Sequence, residues 1–288
     1  MKYGICLTPV YPRAIHDSAY MLQLIEKVRQ EKLFDCAEIY FEGSEGEEKR
    51  IGKALAEAGL ESVYLGGLPI KRDGIDISSP DESDRKKGVE GCKRHIDYAL
   101  RMGCSRIVIG SGPDWKGENC REGIIRQMQK SLGELDAYTR GTALEVSLEP
   151  FPVKTEPWLA VGDTGLVFDI FHSGNFKNVG ITFDTSHISQ LGEKIEDSFQ
   201  TLKPWIHHMH LANCVMKDRE SPLFGDKHPL FSQEGGDFTI EAICGFHNKA
   251  ASEGWLENID ICSLEIVSRG NEDWFYKEVC KEAGLIVG

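Results

Sequence analysis

The chain of 288 residues carries 46 acidic against 33 basic side chains, a formal net charge of -13. That balance argues against a nucleic-acid binder, whose electrostatic footprint is normally basic. The length suits one α/β barrel or two small domains, and either can bury a sizeable core. No apolar run is long enough to span a bilayer, and the N-terminus lacks the apolar stretch of a signal peptide. Nine scattered cysteines without a C-x-x-C pair fit free thiols in a reducing compartment, so a cytoplasmic location is expected.

Short apolar runs alternate with longer amphipathic ones, the pattern of βα units. Strands are predicted at Tyr3–Leu7, Ala37–Phe41, Ser62–Leu65, Arg106–Gly110, Leu144–Leu148, Val179–Phe183, Ile206–Leu211 and Ile259–Ile266. Met21, Leu22, Ile25 and Val28 recur at helical spacing after the first. Further helices are expected around Glu47–Ala58, stopping at Gly59, through Val89–Met102 after a polar stretch Lys71–Lys87, at Arg121–Tyr138, and at Trp274–Ala283. This order, without a linker or composition break, predicts a (β/α)8 TIM barrel over residues 1–288 as a single domain. An open doubly wound sheet is the rival, but no Gly-rich fingerprint follows the first strand. One connection, at about 212–237, is too long for a simple loop and carries Phe224, Leu230 and Phe231. It reads as a lid.

The ends of the last four strands hold the chemistry. They run Ser147-Leu148-Glu149, Thr182-Phe183-Asp184, His208-Met209-His210 and Ser263-Leu264-Glu265. Each places an acid or a histidine where barrel strands converge on the active-site face. Residues two positions earlier (Ser147, Thr182, His208 and Ser263) point inward too, while Leu148, Phe183, Met209 and Leu264 pack under the helices. Each acid alone would pass as a helix cap. Three carboxylates converging without a cation would repel one another, so a raised carboxyl pKa or a bound metal is expected. The donor set suits one divalent ion, Mn²⁺, Mg²⁺, Co²⁺ or Zn²⁺. His187, one turn beyond Asp184, would offer a nitrogen to the same region.

These motifs resemble the xylose-isomerase-like TIM-barrel superfamily, which holds ketose 3-epimerases, hydroxypyruvate-isomerase-like enzymes, inosose dehydratases and apurinic-site endonucleases. The resemblance covers most of the chain and does not single out one activity. It implies that Glu149, Asp184, His210 and Glu265 bind the metal, that Glu149 and Glu265 are also the catalytic bases, and that His187 contacts a substrate oxygen. The chain departs from the epimerases in lacking their Arg beyond the metal-binding His, where it reads Asn213-Cys214-Val215-Met216. It carries instead Asp226-Lys227-His228, similar to the Asp-Arg-His element of the endonuclease branch. That branch needs further His ligands where this chain has Gly66-Gly67 and Gly110-Ser111-Gly112, so a trinuclear zinc site is not expected.

The implied activity is a divalent-metal-dependent sugar isomerase or epimerase working through an enediolate, on a small sugar or sugar-like substrate. The alternative is a metal-dependent lyase or dehydratase acting on a keto-sugar or keto-cyclitol, using the same metal and base to expel a leaving group. An apurinic-site phosphodiesterase is disfavoured by the missing ligands and the charge. Substrate contacts are expected from His187, Asp226, His228, Trp115 and Glu156, with Phe151 and Lys154 as further pocket candidates and His207 structural. Barrel enzymes of this type often dimerise, which by analogy admits a homodimer.

Overall fold

The computed structural model describes residues 1–114, 120–153, 155–156 and 158–287. Eight parallel strands close a barrel in chain order: β1 (Lys2–Cys6), β2 (Cys36–Ile39), β3 (Glu61–Leu65), β4 (Arg106–Ile109), β5 (Glu145–Leu148), β6 (Val179–Asp184), β7 (Ile206–Leu211) and β8 (Ile261–Leu264). Because β1 pairs with both β2 and β8, the sheet has no edge, and the open doubly wound alternative falls. Parallel strands covered on both faces need apolar or internally satisfied side chains throughout. Accordingly β4 and β6 are buried along their whole length.

Local chemistry explains the helices between the strands. Asp17, Asp81, Asp163 and Thr239 each accept the N-cap hydrogen bond of the helix that follows, and Ser44 with Glu47 closes a capping box. Gly59 and Gly103, at φ of 70°, terminate Glu45–Glu57 and Glu82–Arg101.

The latter helix starts earlier than the apolar periodicity indicates. Asp81 caps it through the Asp84 amide, and its charged first turns face solvent while Arg85 is buried against Ser131 and Glu134. A short helix, Gly67–Arg72, was not expected, since Gly-Gly-Leu-Pro shows no helical period. The register of β6 and β7 shifts between Ile181 and Thr182, setting Asp184 opposite His210.

The main core lies between strands and helices and includes Leu148, Phe183, Met209 and Leu264. Inside the barrel the apolar filling is small (Cys36, Val63, Val108 and Ile261), and the rest is polar. Ser147, Thr182, His208 and Ser263 all sit there, buried. Gly4 makes room for them: a Cβ would lie 2.2 Å from Ser263 Oγ. The long connection after β7 is folded down rather than loose. Asn213 bonds Leu230 and Phe238, and Glu282 accepts the Phe231 and Ser232 amides.

Candidate metal centre

The carboxyl ends of β5 to β8 bring together the four residues singled out above. The donor atoms of Glu149, Asp184, His210 and Glu265 all lie within 4.8 Å of one another. His210 Nδ1 is 2.9 Å from Glu149 Oε1, 2.8 Å from Glu265 Oε2 and 4.0 Å from Asp184 Oδ2. Donors about 2.0–2.2 Å from one ion are at most about 4.4 Å apart, so the spacing is close to that of a mononuclear site.

Asp184 answers the question whether it is a cap or a ligand. Its Oδ1 accepts the amides of Ser186 and His187 and the Ser186 hydroxyl at 2.6, 3.1 and 2.6 Å. Its Oδ2 is buried with no hydrogen-bond partner among the described residues. One oxygen caps the helix Thr185–Leu191 and the other has no protein donor among the described residues. A buried, unpartnered carboxylate oxygen is costly. The donor set therefore fits a divalent ion.

Without an ion the acids and the imidazole perturb one another strongly. Burial raises the Glu149 carboxyl above its ordinary value, against the pull of His210. For Glu265 burial is outweighed by His210 and His228, which hold it below the usual range. Burial also opposes charge on His210, but Cys6, Glu38, Glu265 and Glu149 drive its value well above that of an ordinary imidazole.

Beside this group lies a second one. Asp226 Oδ1 is 3.1 Å from His187 Nε2, 2.8 Å from His228 Nε2 and 3.2 Å from Gln190 Nε2. His187 Nδ1 is 3.0 Å from the Pro150 carbonyl. A carbonyl and a carboxylate can only accept, so His187 donates from both nitrogens and is an imidazolium. Burial opposes this, but Asp184, Asp226 and Glu149 raise its pKa to about 10. His228 is likewise raised to about 9, mainly by Asp226 and Glu265 against burial. Its backbone takes φ of 41°, a strained conformation for a non-glycine residue.

A cavity of about 410 Å³ opens over the centre. Glu149, Glu265, Asp226, His228 and Glu156 border it, with Phe151, Leu65, Leu159 and Val267 as apolar wall. Asp184 and His210 are buried beneath, and His187 lies behind Asp226 with its ring against Phe151. Glu156 sits at the rim, 3.3 Å from Lys71. Trp115 and Lys154 lie outside the described residues.

Sequence reasoning missed Glu38. This β2 residue has no solvent exposure and contacts both His208 and His210, at 2.7 and 3.0 Å. An acid within a strand covered on both faces is the signal that could have found it.

A family model described as xylose isomerase-like TIM barrel matches residues 26–257. Among solved structures the chain is similar to a D-tagatose 3-epimerase-like protein, at TM-score 0.73 and 22% identity over 100% of this chain and 98% of that one. It is also similar to D-psicose 3-epimerase from Clostridium cellulolyticum H10, at TM-score 0.69 and 17% identity over 100% and 97%. A third likeness is to the IOLI protein with a bound zinc atom, at TM-score 0.70 and 16% identity over 100% and 95%. No curated protein matches the sequence. Identities this low establish the shared fold.

Proposed function

We propose that this chain, which belongs to the xylose isomerase-like TIM-barrel family, is a divalent-metal-dependent sugar isomerase or epimerase. The observation that carries the reading is the donor set of Glu149, Asp184, His210 and Glu265, gathered with one buried carboxylate oxygen unpartnered among the described residues. A divalent ion held there supplies Lewis-acid polarisation of a substrate carbonyl, which acidifies the neighbouring C–H.

The chain's own residues do the rest. Only Glu149 and Glu265 of the four border the cavity, so they alone can both hold the ion and reach substrate. They enter from β5 and β8, different sides of the ring. One carboxylate takes the proton from the carbon next to the carbonyl, leaving an enediolate, and the other returns a proton. Return to the same carbon from the opposite face inverts it; return to the neighbouring carbon interconverts aldose and ketose. Asp226 and His228 hold a substrate hydroxyl from the lid side, His187 acts on it through Asp226, and Glu156 is the outer contact. The cavity volume falls in the range of small-molecule sites.

The test is NMR in D₂O with Mg²⁺ or Zn²⁺ and a panel of ketoses, aldoses and keto-glycosides. Deuterium entering at the carbon next to the carbonyl supports the reading. Loss of water or of a glycosyl group from the substrate would make the protein a lyase instead. Absence of exchange and of product across the panel would overturn the proposal. A second ion is a further reading, because donors of Asp184, His187 and His228 also lie within 4.8 Å of one another; it would have to displace the proton that His187 directs at Asp226. Two equivalents of metal per chain would establish it.

A further inference from the structure

We propose that Glu38 is the positioning residue of the metal centre, orienting His210 so that Nδ1 faces Glu149, Asp184 and Glu265. The inference rests on the reading of those four residues as metal ligands. Glu38 Oε2 lies 3.0 Å from His210 Nε2 and Oε1 lies 2.7 Å from His208 Nε2. An ionised carboxylate only accepts, so each histidine presents an N–H at Nε2. With that proton fixed at Nε2, Nδ1 is the nitrogen whose lone pair an ion would take, displacing the proton His210 shares with Glu149 and Glu265 in the metal-free protein, the arrangement in which a second carboxylate fixes a ligand imidazole.

Glu38 is itself held in place. His208 Nδ1 is 3.0 Å from Thr182 Oγ1, which is 2.6 Å from Ser147 Oγ, so a hydrogen-bonded chain runs from β5 through β6 and β7 to β2. Stability does not explain this arrangement. A charge without solvent exposure carries a desolvation cost, and a well-packed apolar residue of similar volume commonly serves a fold as well or better.

The test compares wild type, Glu38→Gln and Glu38→Asp, each stripped of metal and titrated with Zn²⁺ against a competing chelator. The Gln amide can accept only one of the two N–H groups. Its NH₂, turned to His210 Nε2, would drive the ring proton onto Nδ1, where the ion belongs. Glu38→Gln should therefore bind Zn²⁺ about 10–100-fold more weakly, with Glu38→Asp between it and wild type. The ¹⁵N spectrum of the zinc-loaded wild type should show His210 protonated at Nε2. A contrary spectrum would overturn the role even if a variant does not fold. Equal zinc affinity in Glu38→Gln and wild type, or a His210 proton on Nδ1 in the loaded wild type, overturns the role of Glu38. A wild-type chain that takes up no zinc removes the metal reading itself, and this inference with it.

Discussion

Replacing His210 by Ala tests whether its imidazole balances the acids around it. The ring is fully buried, with Nδ1 2.8 and 2.9 Å from Glu265 and Glu149 and Nε2 3.0 Å from Glu38. Removing one partner of a buried charge pair costs about 3–5 kcal/mol. The remaining carboxylates, with donor atoms within 4.8 Å of one another, repel by at least about 3.5 kcal/mol per ionised pair at an effective dielectric near 20. The two effects do not add, because the acids relieve the repulsion by taking up protons. At about 0.6 kcal/mol per degree for 288 residues, a loss of about 3–5 kcal/mol lowers the melting temperature of metal-free protein by roughly 5–8 °C.

The pH dependence has a definite sign. Glu149 is already raised by burial despite His210, and losing His210 raises it further. A carboxyl raised in the folded state stabilises the fold below its unfolded pKa and loses that contribution as pH rises through the folded value. Wild-type His210, raised well above the ordinary value, stays protonated between about pH 4.5 and 6.5. The deficit of the variant should therefore grow over that interval. Circular-dichroism melts of chelator-treated protein measure it. A deficit under about 1 kcal/mol, or one that shrinks as pH rises, would refute the electrostatic account.

Glu149→Gln and Glu265→Gln should each lower turnover by about 10²- to 10⁴-fold, the usual worth of a positioned acid–base group; near-normal exchange in both would remove the assignment of the bases. Stripping the ion and restoring it at about 100 times its Kd should raise stability by about 2.7 kcal/mol, or some 4–5 °C in melting temperature, and a melt indifferent to metal counts against the site. Away from the site, Asp136 Oδ1 accepts the Lys177 and Asn178 amides at 2.7 and 2.6 Å. Burial works against its charge, but these amides and Arg140 hold the carboxyl below its ordinary value. A depressed carboxyl stabilises above its unfolded pKa and loses the effect as pH falls through the folded one. Asp136→Asn should thus cost about 1–3 kcal/mol near neutral pH, and in thermal melts the gap from wild type should close on acidification.

The barrel was legible because its strands are short apolar runs bounded by turns and its acids fall at the strand ends. Ile206–Leu211 coincides with β7, whereas β8 is shorter than Ile259–Ile266 because Ile259 follows the turn Trp255–Asn258. Glu149, Asp184, His210 and Glu265 could be found from their strand positions alone, since alternation fixes which side chains turn inward. The surroundings of His187 could not. Its partners, Pro150 and Asp226, are 37 and 39 residues distant, and only the folded connection after β7 brings Asp226 over it. Glu38 stayed hidden because its partners, His208 and His210, are 170 and 172 residues distant, and nothing in Cys36–Ile39 says which side chains will meet it inside the barrel. The start of Glu82–Arg101 was obscured by its charged, solvent-facing first turns, where the cap rather than hydrophobic periodicity marks the boundary.

Metal content, measured side by side on purified wild type and Asp184→Ala after exposure to Mn²⁺, Mg²⁺ and Zn²⁺, bears most directly on the central claim. Asp184 Oδ2 is a buried carboxylate oxygen without a hydrogen-bond partner among the described residues, so the account predicts about one divalent ion per wild-type chain and none retained by the variant. A wild-type chain that holds no ion under any of these conditions, or a variant that holds it equally well, would contradict it.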